Sequence, residues 1–227
     1  MSVELPESLL VLERGWLSAN SIVFFDGCDA TVVDSGYVTH AAQTVELVAH
    51  AVRGRRLKRL INTHSHSDHI GGNAALQTRF GCEIIVPAGL HATIAEWDED
   101  ALLLSPLGQQ AARFQHDGLI RAGDEIAMGD LGWRALAVPG HDMEALAFYN
   151  PERRILISGD ALWENGFGVI FSELLGEADG IAVTRATLEM LSRLAIDVVI
   201  PGHGSPFAGV DAAFARAFRR IDSFAAD

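Results

Sequence analysis

The sequence predicts an α/β fold in which two β-sheets pack face to face and helices cover their outer sides. Three observations carry this expectation. Strand-like runs come in two series, each followed by amphipathic helical spacing. No Pro/Ser-rich linker separates the series, so a single domain over 1–227 is expected. The balance of 49% hydrophobic to 21% charged residues over 227 positions is that of a soluble chain able to bury one core.

The first series opens with strands at Ser8 to Glu13 and Ser21 to Phe25. The turn Asp26-Gly27-Cys28-Asp29 then returns the chain into Ala30 to Asp34 as a hairpin. From Thr39 to Val52, Ala42, Val45, Val48, Ala49 and Val52 fall three or four apart. That spacing predicts a helix capped by Thr39 and ended near Gly54. Leu60-Ile61 reads as a short buried strand running into a polar loop at Asn62. Asn73 to Phe80 is expected as a helix, Glu83 to Val86 as a strand, and two more helices between Ala88 and Gln115.

The second series comprises strands at Glu125 to Met128, Trp133 to Val138, Ala145 to Tyr149 and Arg154 to Ser158. Gly180 to Leu194 is amphipathic, with Ile181, Leu188, Leu191 and Leu194 on one side. Val198 to Ile200 is a last short strand, and Ala212 to Phe224 a last helix. Trp97, Phe114 and Trp133 read as packing residues.

Charge narrows the function classes. A net charge of −13 repels phosphate backbones and anionic lipid, so neither nucleic acid nor a membrane surface is an expected partner. The basic run Arg53 to Arg59 reads as a solvated helix end, and Arg216 to Arg220 is a second local exception. No apolar run is long enough to span a bilayer. Met1 to Leu12 carries Glu4 and Glu7 and no basic cluster, the wrong pattern for an export signal, so a cytoplasmic location is expected. Cys28 and Cys82 lie far apart and outside any CxxC pair. Neither a disulfide framework nor a thiolate zinc site is expected.

The chemistry sits in Thr63-His64-Ser65-His66-Ser67-Asp68-His69-Ile70-Gly71-Gly72. A chance His-x-His-x-Asp-His is expected in roughly one chain in a thousand at this histidine content. In an extended segment residues i and i+2 share a side, so His64 and His66 can grip one ion together. Asp68 and His69, at the bend that Gly71-Gly72 opens into a helix, can face a second. Imidazole and carboxylate without thiolate suit Zn(II), Fe(II) or Mn(II). Three further residues end short apolar strands: His141 after Val138-Pro139-Gly140, Asp160 after Ser158-Gly159, and His203 after Ile200-Pro201-Gly202. The histidines His40, His50, His91 and His116 have no partner at ligand spacing and are expected at the surface.

This ordered set resembles the metallo-β-lactamase superfamily, in its broad glyoxalase II-like branch. The match runs from Asp34-Ser35-Gly36 to Pro201-Gly202-His203-Gly204. The resemblance implies a four-layered αβ/βα sandwich with the site at one edge of the paired sheets. It implies that His64, His66 and His141 bind one metal, that Asp68, His69 and His203 bind a second, and that Asp160 bridges them. Asp34 resembles the family's carboxylate that orients ligand residues from behind. The cofactor implied is two divalent transition-metal ions, zinc first, with iron or manganese also suited. They lower the pKa of a shared water from ~15.7 toward ~7, and the hydroxide attacks an ester-like carbonyl. Asp68 is the implied catalytic residue, orienting the hydroxide and taking its proton. A small-molecule thioester, lactone or ester is the implied substrate.

Departures from the family pattern narrow this further. Position 160 is Asp where the secreted zinc β-lactamases place Cys or Ser. His141-Asp142-Met143-Glu144 departs from the His-Thr-Pro-Gly of glyoxalase II, and its glutathione-anchoring basic residues have no match here. The segment Leu162 to Val169 is expected to shape the pocket. Trp163 and Phe167 would either line an acyl wall, with Gly166 and Gly168 allowing close approach to the metals, or pack the loop onto the core. Two alternatives stay open: a sulfur dioxygenase-like enzyme holding one iron on His64, His141 and Asp160, and a binding or regulatory member of the fold with little turnover.

Overall fold

The computed structural model describes residues 3–176 and 179–225, and strand alternation sets its layers. Strands β1 (Leu9–Leu12), β2 (Ser21–Asp26) and β3 (Asp29–Val33) run antiparallel, the last two joined by the expected two-residue turn at Gly27-Cys28. Helix α1 (Ala41–Val52) leads to β4 (Arg56–Ile61). The short α2 (Ser67–Ile70) and α3 (Asn73–Phe80) lead to β5 (Glu83–Pro87). Helices α4 (His91–Glu96) and α5 (Leu104–Leu107) precede β6 (Gly118–Ile120). From β3 to β6 the neighbours are parallel, completing a six-stranded sheet in chain order.

The second sheet has five strands in the order β11-β10-β9-β8-β7, where β7 is Glu125–Met128, β8 Leu131–Ala137, β9 Leu146–Asn150, β10 Ile155–Gly159 and β11 Val198–Pro201. Between β10 and β11 come the one-turn α6 (Phe171–Leu174) and the long α7 (Gly180–Ser192), and α8 (Val210–Ala225) follows. Only the β10–β11 pair is parallel.

Period-two alternation builds three cores. Ile22 and Phe24 point between the sheets, where they meet Trp133, Phe148, Ile155 and Ile157. Val23 points outward, joining Val48 and Val52 of α1 and Leu76 of α3. On the other side Ala147, Tyr149 and Leu156 face Leu188 and Leu191 of α7 and Phe214 of α8. Helix, sheet, sheet, helix: this is the αβ/βα sandwich. Phe24 and Trp133 clamp its centre edge to face at 5.4 Å, a geometry worth about 0.5–1.5 kcal/mol beyond area burial. Among the described residues no helix is long and apolar enough to cross a membrane.

Two local expectations are corrected and one strand was not foreseen. The strand expected at Leu60-Ile61 begins at Arg56, so most of the basic run is strand and not helix end. Arg56 and Lys58 are exposed while Leu57 and Leu60 are buried, and Arg56 forks onto Asp29 at 3.0 Å. Thr39 does not cap α1: it lies in a 3-10 turn, Val38–His40, that runs into the helix with no side-chain cap. Strand β6 was not expected. It has three residues and begins with Gly118, too short for alternation to register.

Candidate metal centre

Strand ends from both sheets converge on one edge. The parallel pairing of β3 with β4 puts Val33 beside Ile61, so Asp34 and the Asn62–His69 loop leave the sheet together. In the other sheet Gly159 pairs with Pro201, delivering Asp160 and His203 side by side. His141 follows β8 through Val138-Pro139-Gly140. Glycines make room where these loops touch. A Cβ at Gly202 would collide with Asp160 Oδ1, one at Gly168 with His141 Nδ1, and one at Gly72 with the Ser35 carbonyl.

Seven side chains meet there. His64, His66 and His141 form one group able to hold a cation, and Asp68, His69 and His203 another. His64, His69 and Asp160 form a third set between them, the ligand atoms of each set lying within 4.8 Å of one another. His66 Nδ1 and His141 Nε2 stand 2.7 Å apart. His69 Nε2 is 3.3 Å from Asp160 Oδ1, and His141 Nε2 is 3.4 Å from Asp160 Oδ2. His203 Nε2 lies 3.0 Å from Asp68 Oδ2 and 3.6 Å from Asp160 Oδ2. Asp160 thus touches both groups.

Contacts behind the cluster fix its orientation. Asp34 accepts from the Thr63 amide at 2.9 Å and the Thr63 hydroxyl at 2.8 Å, and its Oδ2 lies 2.8 Å from His69 Nδ1. To do so its backbone sits at φ 58°, the left-handed region, which asparagine and aspartate tolerate better than most residues. Thr63 Oγ1 is 3.0 Å from His64 Nδ1, and the Val169 carbonyl is 2.6 Å from His141 Nδ1. The rear nitrogens of these rings are occupied, and their other nitrogens point inward. Nε2 of His64 and of His69 are buried without any hydrogen-bond partner. A buried nitrogen that makes no hydrogen bond costs about 1–3 kcal/mol, and two such atoms within 4.8 Å of the Asp160 carboxylate fit a cation.

The electrostatics agree. Burial, then His69 and the other histidines, pushes His64 well below the usual imidazole range. Burial likewise lowers His66 and His141 to about 4. These three are neutral and offer lone pairs, the state a metal ligand needs. Burial works to raise Asp160, but His69, His141 and His203 more than reverse it and hold the carboxyl well below its ordinary range. Burial opposes charge on His69 too, yet Asp160, Asp34 and Asp68 raise it well above an ordinary histidine. Three carboxylates around one imidazole call for positive charge, which a protonated ring or a cation bound in place of that proton can supply.

Around the cluster, expectation and structure part in places. Trp163 does face the cleft, donating Nε1–H to Asp160 at 3.2 Å and stacking edge-on to His203 at 5.4 Å. Phe167 does not: it is 1% exposed, packed in the outer core with the Arg220 guanidinium 4.8 Å over its ring. Phe171 takes the aromatic place instead, 4.8 Å from the His66 ring. Also unforeseen is the buried Ser18–Asn20 segment. Ala19 N donates to the Asp68 carbonyl at 2.9 Å, and Asn20 Nδ2 to the Pro201 and Gly204 carbonyls at 2.9 and 2.7 Å. No local pattern marks these residues, because their partners are distant in sequence. Of the four remaining histidines, His50 is exposed, His40 hydrogen-bonds Ser18 at 2.8 Å, and His91 and His116 pair at 2.7 Å.

Comparisons with known proteins bear on the whole assembly. The family model described as "Metallo-beta-lactamase superfamily" matches residues 14–203. Among curated relatives, the hydroxyacylglutathione hydrolase of Rhodospirillum rubrum is 28% identical over 169 residues, 74% of this chain and 58% of that protein. The hydroxyacylglutathione hydrolase of Rhodopseudomonas palustris is 31% identical over 118 residues, 52% of this chain and 39% of the relative. The matched regions therefore span between 39% and 58% of the length of these two relatives. A metallo-beta-lactamase family protein from Thermus thermophilus superposes with TM-score 0.73 at 21% identity, covering 96% of this chain and 79% of that one. A class B3 di-zinc metallo-beta-lactamase from an Alaskan soil metagenome gives 0.74 at 19%, covering 95% and 90%. At these identities what is shared is the fold.

Proposed function

The chain belongs to the metallo-beta-lactamase superfamily, and on that premise we propose that it is a dinuclear metal-dependent hydrolase of small thioesters, lactones or esters. The observation that carries this is the meeting of three His/Asp ligand groups at Asp160, where Nε2 of His64 and of His69 are buried and make no hydrogen bond of normal geometry among the described residues. His64, His66 and His141 would hold one ion and Asp68, His69 and His203 the other, with Asp160 in contact with both. Zinc suits the donor set first, and iron or manganese also suit it. Once bound, two such ions would bring the pKa of water from ~15.7 down toward ~7 and so supply hydroxide at neutral pH.

The protein's own residues do the rest. Asp34 keeps a proton on His69 Nδ1 and so presents Nε2 to the site. Asp68, half-buried at the cleft and 3.0 Å from His203, would orient the attacking water and receive its proton. Trp163 and Phe171 flank the carboxylate and imidazoles and limit bulk water around the reacting carbonyl. The complete Asp68–His69–His203 group favours two ions over a single iron on His64, His141 and Asp160.

The test is turnover of thioesters, lactones and esters by metal-loaded protein, with oxygen uptake followed in parallel. Chelator-sensitive hydrolysis without oxygen consumption is expected. Oxygen consumption on a persulfide, with no hydrolysis of any ester, would replace this reading by iron-dependent oxidation.

A further inference from the structure

Two clefts open onto the same histidines, and their linings differ in kind. One, of about 370 Å³, runs out from Asp68, Asp160 and His203 between Trp16, Leu17, Leu103, Leu107, Val169 and Phe171. Its volume is in the range of small-ligand sites, about 300–1,000 Å³. Several of its apolar walls are held open to solvent: Trp16 is 86% exposed and Leu107 41%. The other, of about 480 Å³, carries Asp100, Asp142 and Glu144. The two share His66, Leu103, His141 and Phe171. Leu103 stands at their junction at φ 56°, a conformation a leucine adopts only when its surroundings impose it.

The charge pattern excludes as much as it admits. Among the described residues lining either cleft there is no Lys or Arg. The nearby arginines face away. Arg216 and Arg220 grip the Glu164 and Phe167 carbonyls from the α8 side, and Arg14 is bound to Thr44 and Gln43. An anionic arm, such as a glutathionyl carboxylate, would lose water in either cleft without gaining a protein counter-charge. In the second it would meet Asp100 and Glu144.

We infer that the substrate is an acyl thioester or ester whose acyl arm is an uncharged alkyl chain lying in the Trp16–Leu103–Leu107 cleft, and whose leaving group carries no negative charge. This rests on the hydrolase reading above. Water adds across the acyl C–S or C–O bond. The acyl carbon gains the hydroxyl, the leaving sulfur or oxygen takes a proton, and the acid loses one to solvent. No electron is transferred and no co-reactant is needed.

The experiment uses protein as purified, with N-acetylcysteamine thioesters from butanoyl to decanoyl and the glutathione thioesters of the same acids. kcat/KM should climb with chain length by about fourfold per methylene, the equivalent of ~0.8 kcal/mol for each one buried. The neutral thioester should exceed its glutathione counterpart at least tenfold. Leu107→Asp should collapse the decanoyl-to-butanoyl ratio. A flat or falling series, or a preference for the glutathione thioesters, overturns the inference and leaves the hydrolase reading standing. Binding of decanamide against butanamide, measured by calorimetry, gives an arm independent of turnover. Tighter binding of decanamide that Leu107→Asp abolishes supports the cleft assignment even if every ester proves inert, in which case it is the hydrolase reading that fails. Equal or absent binding of the two amides overturns the cleft assignment.

Discussion

Asp34 Oδ2 and His69 Nδ1 are 2.8 Å apart, and both are buried. The contact links an early hairpin to the histidine-rich loop and leaves Nε2 of His69 as the nitrogen facing Asp160. Asp34→Asn keeps the size and tolerates the left-handed backbone, but removes the carboxylate. Metal affinity should fall roughly 10–100-fold, the usual consequence of losing a partner behind a ligand, with the fold retained. A competitive chelator titration checks this, and unchanged affinity would remove Asp34 from its assigned role.

Glycine at position 202 is required by space, since a Cβ there would strike Asp160 and the His69 ring. Gly202→Ala should displace Asp160, with loss of bound metal and at least a tenfold drop in hydrolysis. Gly209→Ala meets nothing within 4 Å and should leave both unchanged. Elemental analysis and rates on the two variants separate them. A fully metallated, active Gly202→Ala protein would contradict the described packing.

The two cysteines differ in environment and should differ in reactivity. Cys28 is exposed on its hairpin, whereas Cys82 is buried and its thiol is pushed up to about 11 by that burial. At pH 8 a thiol reagent should modify one cysteine per native chain quickly and the second only on unfolding. Because the folded state raises this pKa, burial of Cys82 contributes stability below pH 9.0 and loses it as the pH rises toward about 11. Rapid labelling of both thiols in native protein would contradict the buried position.

Much of the site was legible because its signals are local. His64, His66, Asp68 and His69 crowd one loop, and His141, Asp160 and His203 each end an apolar strand. Pocket walls were less legible. Phe167 and Phe171 look alike in sequence, but α8 brings Arg220 over Phe167 and draws it into the core. The Asn20 bonds to Pro201 and Gly204 join residues at opposite ends of the chain. Strand β4 was hidden by its own solvent face, where Arg56 and Lys58 interrupt the apolar run. Long-range packing decides the first two, and local alternation the third.

Removing metal should separate stability from chemistry. The three cores are built from apolar side chains of sheets and helices rather than from the seven proposed ligands, so chelator-treated protein should keep its far-UV circular dichroism and melt at a lower temperature. Binding to the native state alone stabilises by RT ln(1 + [L]/Kd), about 2.7 kcal/mol at a hundredfold excess over Kd, so the melting temperature should rise with free metal. Unfolding on chelation would show that the ions are structural.

The most direct test of two-metal hydrolysis is a titration of chelator-stripped protein with Zn(II), following bound metal by elemental analysis and thioester or lactone hydrolysis on the same samples. The two ligand groups, each in contact with Asp160, predict saturation at two ions per chain, with hydrolysis absent in the stripped protein and restored as the pair of groups fills. Saturation at one ion, or hydrolysis that persists in verified metal-free protein, would contradict the account.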